Sequence, residues 1–208
     1  MSKRLFVVAL CAAAFFCAWG QARDPAIATA SSEIPAFDFS PHLDLSADPI
    51  QRSVSGVPSV RVGGYVVTPV ASFQVAGRVL GAKRYRSDRE ADLSPVDLAL
   101  GWGPMANEDV LAAIDISQGG RFYRWWADEF PIPHNDIAHH SANMHLVPAN
   151  PYVAAQLMAV EQGQEVRFKG YLLQVQADDG WRWRSSMRRT DEGAGACEVV
   201  LVDTLETL

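Results

Sequence analysis

Cysteine is scarce in this chain of 208 residues. Two of the three cysteines, Cys11 and Cys17, lie near the amino terminus, and the third is Cys197. Removal of the amino-terminal segment would leave Cys197 without a partner for an internal disulfide, which excludes the class of small secreted proteins stapled by several disulfides. The position of Cys197 at an expected strand start favours a structural thiol over a reactive one.

Basic charge is also in short supply. The chain has 18 Lys and Arg against 24 Asp and Glu, a formal net charge of −6. Nucleic acid and anionic lipid surfaces both need a positive field on the protein, so general binding to either is disfavoured.

Established catalytic motifs are missing from the sequence. It contains no Gly-x-Ser-x-Gly elbow, no phosphate-binding loop, no dinucleotide fingerprint and no His-Glu-x-x-His zinc motif. The sequence motifs therefore fix no reaction.

The first 22 residues have the three-part layout of a secretory signal peptide. Lys3 and Arg4 precede an uncharged apolar run over residues 5–19, and Gly20 and Ala22 supply the small residues of a cleavage site. The apolar run is shorter than the roughly 20 residues of a membrane-spanning helix. We therefore predict a signal peptide over residues 1–22 and a periplasmic or secreted protein; the alternative is an uncleaved signal that anchors the chain to the inner membrane.

Two segments of different composition follow the signal. Residues 23–57 are rich in Pro, Ala and Ser and show no sustained period of 2 or 3.6 residues, which predicts a flexible linker. The alternative is a docking peptide with Ile34, Phe37 and Phe39 as anchors. Residues 58–208 show short β-rich runs, among them 65–67 and 73–79, and the pair Asn150-Pro151 is a strong helix start. We predict a single globular α+β domain there, mainly antiparallel sheet, with two or three short helices.

The carboxyl-terminal half contains a predicted hairpin of residues 166–176 and 181–187, joined through a turn at Gly180. The apolar positions of its first strand change phase at Gly170, which is typical of a β-bulge and a bent strand. Bent strands capped by one helix favour a small barrel similar to the oligonucleotide/oligosaccharide-binding (OB) fold.

Four of the five histidines lie between residues 134 and 145. Imidazoles beside a carboxylate suit zinc or another divalent metal. The candidate metal ligands are Asp136, His139, His140 and His145. The spacing matches no established metal motif, so the alternative is that these are polar loop and cap residues.

The second candidate site is the stretch from Trp181 to Arg188. Alternation along a strand places Trp181 and Trp183 on one face and Arg182 and Arg184 on the other. The Trp face can stack on a sugar ring, and the Arg face, with Arg188, can hold a carboxylate or phosphate. The alternative is that the Trp side chains fill the core while the Arg side chains pair with the excess carboxylates.

Several short motifs resemble a family of uncharacterised exported or membrane-tethered bacterial proteins. These are His140-Ser141-Ala142-Asn143-Met144-His145, Gly170-Tyr171-Leu172, Asp179-Gly180-Trp181-Arg182-Trp183 and Gly195-Ala196-Cys197-Glu198. The resemblance spans about residues 58–206 and implies location and domain extent, but no catalytic residue.

Two functions follow from these observations. The favoured hypothesis is a non-enzymatic exported module that binds an unknown protein partner or a small anionic or sugar-like ligand through the Trp/Arg hairpin. The alternative is a metal-dependent hydrolase, in which a divalent ion held by the histidine cluster lowers the pKa of bound water.

Overall fold

The structure is a computed structural model that describes residues 34–188 and 195–208. The predicted signal peptide and the first part of the predicted linker lie outside the described residues. Across the two described ranges, no helix is long and apolar enough to cross a membrane.

The described chain is mainly β-strand, with three short α-helices. The strands are β1 (Ile50–Ser53), β2 (Val60–Val62), β3 (Tyr65–Arg84), β4 (Val96–Gly101), β5 (Asp115–Gly119), β6 (Phe122–Trp126), β7 (Ser141–Pro148), β8 (Glu165–Ala177), β9 (Arg182–Arg184) and β10 (Glu198–Thr207). The helices are α1 (Glu108–Leu111), α2 (His134–His139) and α3 (Pro151–Ala159), and single 3-10 turns form at Arg89–Asp92 and Gly103–Ala106.

Five strands close into a ring. Around it, β3 pairs with β4, β4 with β7, β7 with β10, β10 with β8, and β8 returns to β3. Only the β7–β10 pairing in this ring is parallel. The predicted α+β class with mainly antiparallel sheet is confirmed. Because β3 has 20 residues and β4 has 6, the ring is not an even barrel, and its likeness to the OB fold stays a prediction.

The bulge predicted at Gly170 lies in the neighbouring strand instead. Val202 pairs with Gly170 and Thr204 pairs with Lys169, so the extra residue is Asp203 of β10. Gly170 is needed there because a Cβ at its position would lie 1.8 Å from the Leu201 carbonyl oxygen. The phase change in β8 thus marks close approach of the β10 backbone.

Helix α3 forms where its start signal predicts it. The Asn150 side chain accepts a hydrogen bond from the Val153 amide at 3.0 Å, and Pro151 occupies the first turn. Val153 and Leu157 bury their side chains in the central core with residues from all five ring strands. The helix therefore contributes to the core that the ring encloses.

Residues 34–57 pack on the ring and are not a flexible spacer. β1 pairs with β3, and Leu43 is only 5% exposed. The Phe37 ring lies edge-on to Tyr171 at 5.5 Å, and the Tyr171 hydroxyl donates to the Pro35 carbonyl at 2.5 Å. The Lys169 ammonium donates to the Phe37 carbonyl. We call residues 34–48 the strap; the linker prediction is corrected for residues 34–57.

Candidate functional site

A second, two-stranded sheet forms the wall of the candidate site. Strands β5 and β6 form a hairpin whose two-residue turn is Gly120-Arg121, with φ of 61° and 68°. Positive φ at both positions is typical of a type I′ turn, and an Arg rarely adopts this conformation. The Arg121 amide donates to the Tyr85 hydroxyl at 3.0 Å, and its guanidinium lies 3.8 Å from the centre of the Tyr85 ring. These contacts stabilise Arg121 in a backbone conformation that is unfavourable for residues other than glycine.

The Arg121 guanidinium joins two carboxylates. Its Nε and Nη2 donate to Asp88 at 2.9 and 2.6 Å, and its Nη1 donates to Asp97 Oδ1 at 2.7 Å. Asp97 is completely buried in β4. A buried carboxylate needs such a partner, so this ion pair fixes the hairpin to the ring.

A row of polar side chains continues from Asp97 across β7 to β10. The β4–β7 register sets Asp97 opposite His145, and His145 Nδ1 lies 3.0 Å from Asp97 Oδ2. The Asn143 amide donates to the Arg121 carbonyl at 3.1 Å and lies 4.0 Å from Cys197 Sγ. This row occupies one face of the sheet, between the hairpin and β9.

Two cavities border this row. The first, of about 490 Å³, is called the Tyr123 cavity, and the second, of about 340 Å³, the Trp183 cavity. The Tyr123 cavity is lined by Trp102, Phe122, Tyr123, Trp125, His134, Asn135, Ala138, Ser141, Ala142, Asn143, Arg188, Ala196, Cys197 and Glu198. The Trp183 cavity is lined by Glu90, Gly120, Arg121, Phe122, His145, Trp183, Arg184, Gly195 and Cys197. Phe122 and Cys197 therefore border both.

The Tyr123 hydroxyl is a hydrogen-bond donor at neutral pH. It lies 2.7 Å from Ser141 Oγ, and the Ser141 hydroxyl donates to the Ile137 carbonyl at 2.5 Å. Since the single Ser141 proton is used there, Tyr123 donates to Ser141. Burial is the main cause that raises the pKa of Tyr123, and the Glu198 carboxylate acts in the same direction. The phenol thus stays protonated.

The residues of the predicted Trp/Arg surface lie partly against the core and partly beside the two cavities. Trp181 and Trp183 are half-buried, whereas Arg182 and Arg184 are exposed, as strand alternation predicts. Both Trp side chains pack against an outer core cluster, and the Trp183 ring lies 5.0 Å from that of His145. Arg184 lines the Trp183 cavity with Trp183, but Arg182 does not.

Two neighbours complete this surface. The Arg89 guanidinium lies 4.7 Å from the centre of the Trp181 ring and pairs with Asp179 at 2.8 Å. Arg188 is exposed and lines the Tyr123 cavity rather than the Trp183 cavity. The five predicted ligand-binding residues therefore do not share one site.

The predicted metal ligands are not brought together as a set. His140 Nδ1 lies 2.8 Å from the backbone carbonyl of Asp136, whereas His145 lies beside Asp97. His139 ends helix α2 and is half-buried. In the part of the chain that the structure describes, no three His, Cys, Asp or Glu side chains form a group that could hold a metal ion.

Sequence reasoning missed most of the polar row, above all Asp97, Arg121 and Asn143. One signal was present: Asp97 is a charged residue inside the apolar run of β4, in which every residue is buried. A charge in such a strand demands a buried partner. Its partner Arg121 could not be identified from spacing, because it comes from a separate hairpin.

Comparisons of the chain with protein-family models, curated proteins and solved structures found no match.

Proposed function

We propose that this protein is an exported, non-enzymatic module that binds a small anionic or sugar-like ligand in the Trp183 cavity. One observation carries the proposal: Trp183 and Arg184, neighbours on β9, border the same cavity as the buried His145. An aromatic residue and an arginine thus line one concave site. Export rests on the predicted signal peptide.

The residues around this cavity offer complementary contacts to such a ligand. Trp183 presents part of its ring for stacking, and its packing on His145 fixes the ring orientation. Arg184 can hold a carboxylate or phosphate with two parallel hydrogen bonds. Glu90 can accept hydrogen bonds from ligand hydroxyl groups. The cavity of about 340 Å³ lies in the size range of small-molecule sites.

The ring topology supports the same location, if the ring is taken as OB-like. In OB folds, ligands lie on the second and third strands, between the first–second and fourth–fifth loops. In the ring, the second and third strands along the chain are β4 and β7, which carry Asp97 and His145. Glu90 belongs to the connection before β4, and Trp183 to the connection between β8 and β10. This support is an analogy of fold, and the side chains carry the chemistry.

The polar row has a supporting role in this proposal. The Asp97 carboxylate is engaged by Arg121 and lies beside His145, so it holds the cavity wall. A fixed wall favours binding, because little side-chain entropy remains to be lost when the ligand is bound.

The test uses the purified exported protein on an array of neutral and uronate-containing oligosaccharides, followed by calorimetry with the strongest binders. Trp183→Leu and Arg184→Ala should each weaken binding by about tenfold or more. Arg182→Ala is the matched control, because Arg182 is exposed on the same strand but does not line the cavity. Absence of binding to every oligosaccharide, or unchanged affinity in both folded variants, would overturn the proposal.

A further inference from the structure

The Tyr123 cavity contains a combination of groups that the proposed ligand site does not use. Its lining includes the aromatic residues Trp102, Phe122, Tyr123 and Trp125, of which Trp102 is only 1% exposed. The Glu198 side chain lines the same cavity and is only 2% exposed. Aromatic faces and a carboxylate both attract positive charge.

The aromatic residues of the lining are held in place by contacts with neighbouring side chains. Trp125 lies edge-on to Phe130 at 5.5 Å, and the Trp102 indole N–H donates to Asp48 Oδ1 at 3.2 Å. Tyr123 is fixed by its hydrogen bond to Ser141. A cage of rings that already has its bound arrangement loses little entropy when a cation enters.

Arg188 brings the opposite charge to the cavity. It is exposed, whereas Glu198 is buried, so the two charges stand at different depths. A ligand that is only cationic would meet repulsion from Arg188. A ligand with a cationic group and an anionic group satisfies both residues.

We propose that the Tyr123 cavity binds a small ammonium compound that also carries a carboxylate, such as a betaine or a free amino acid. The ammonium group lies among the aromatic rings beside Glu198, and the carboxylate is held by Arg188. The cavity volume of about 490 Å³ accommodates a molecule of this size. Quaternary ammonium groups are the ligands that aromatic cages recognise best in proteins.

This site is separate from the sugar or anion site. The two cavities have Phe122 and Cys197 in common, but their charged and ring-stacking residues differ. Either proposal can therefore fail while the other holds.

The experiment titrates the exported protein with glycine betaine, choline and the standard amino acids, followed by calorimetry and by the shift in melting temperature. We expect glycine betaine or an amino acid to bind, and Glu198→Gln to weaken that binding by about tenfold or more. Arg188→Ala should weaken the binding of the carboxylate-bearing ligand by a similar factor. Any choline binding should be unchanged or stronger in Arg188→Ala, because choline lacks the carboxylate and is repelled by Arg188 in the natural protein.

Two further variants keep the test decisive. Trp125→Leu removes one aromatic ring of the cavity lining but retains an apolar side chain. It tests the site if Glu198→Gln lowers the stability of the protein. Glu90→Gln is the matched control, since Glu90 lines the Trp183 cavity, and it should bind the ammonium compounds as the natural protein does. The proposal is overturned if no compound of the panel binds, or if Glu198→Gln and Trp125→Leu both retain full affinity. Unchanged affinity for the carboxylate-bearing ligand in Arg188→Ala would also overturn it.

Discussion

The Arg121 guanidinium lies 2.7 Å from the buried carboxylate of Asp97, and this ion pair attaches the β5–β6 hairpin to the closed ring. Phe122 and Tyr123, which line the Tyr123 cavity, follow Arg121 directly in the hairpin. A buried contact between residues that are 24 positions apart therefore helps to set the position of the cavity wall.

Arg121→Ala should lower the free energy of unfolding by about 3–5 kcal/mol, because it leaves the Asp97 carboxylate buried without its cation. The measurement is urea unfolding followed by tryptophan fluorescence. Arg124→Ala is the control, as Arg124 is exposed on the same hairpin, and it should change stability by no more than about 0.5 kcal/mol. Equal stability of the two variants would show that the Arg121–Asp97 pair does not hold the hairpin.

Asp88→Asn should remove part of the acid sensitivity of the fold. Hydrogen bonds from Arg121 are the main cause that lowers the pKa of Asp88 below its ordinary value. A lowered pKa in the folded state stabilises the fold above the unfolded value, about 3.9, and this contribution is lost as pH falls through the folded value. Because Asp88 is partly exposed, solvent screening limits the loss in Asp88→Asn to about 1 kcal/mol at neutral pH.

Urea unfolding at about pH 7 and about pH 3 checks this expectation. The gap in stability between the natural protein and Asp88→Asn should be largest at neutral pH and should shrink in acid. A gap that stays constant between the two pH values would contradict the assignment of this contribution to the Asp88 carboxylate.

Elements that depend on short-range sequence signals could be predicted, whereas the length and the partners of the strands could not. Helix α3 follows from Asn150-Pro151, and the turn before β9 follows from Gly180. The runs 65–67 and 73–79 suggest two short strands, but both belong to the 20-residue β3. Its two parts differ because residues 65–78 pair with β8, whereas residues 78–84 pair with β4. A local sequence pattern does not show which partner strand pairs with each part of β3.

The candidate site was predictable only in part, for the same reason. Trp183 and His145 were each identified as candidates, but for different sites, and only the fold shows their rings 5.0 Å apart. His140 and His145 are close in sequence, yet the chain passes from helix α2 to strand β7 between them. Proximity in sequence therefore grouped histidines that the fold separates, and it gave no sign that Trp183 and His145 lie together.

Leu43→Ala tests whether the strap belongs to the folded domain. The strap was interpreted as a linker because its apolar residues come singly, without the period of a helix or strand. Leu43 is 5% exposed, so its truncation should cost about 2–4 kcal/mol of unfolding free energy. His42→Ala is the matched control, since His42 is exposed and adjacent. A flexible linker would give the same stability for both variants in urea unfolding, whereas a packed strap separates them.

Cys197 provides a test of the arrangement of both cavities, because it lines each of them and is half-buried. Alkylation with N-ethylmaleimide adds a group larger than the thiol to this shared wall. The alkylated protein should lose affinity by about tenfold for the oligosaccharide and for the ammonium compound that the unmodified protein binds. Cys197→Ser, treated with the same reagent, should retain both affinities.

Intact-mass spectrometry of the alkylated protein supplies the control for this experiment. One adduct is expected after removal of the signal peptide, because Cys11 and Cys17 lie within its predicted 22 residues. Three adducts would show that the signal is retained and would favour the anchored form. A protein that carries an adduct on Cys197 and still binds both ligands with full affinity would contradict the placement of Cys197 between the two sites.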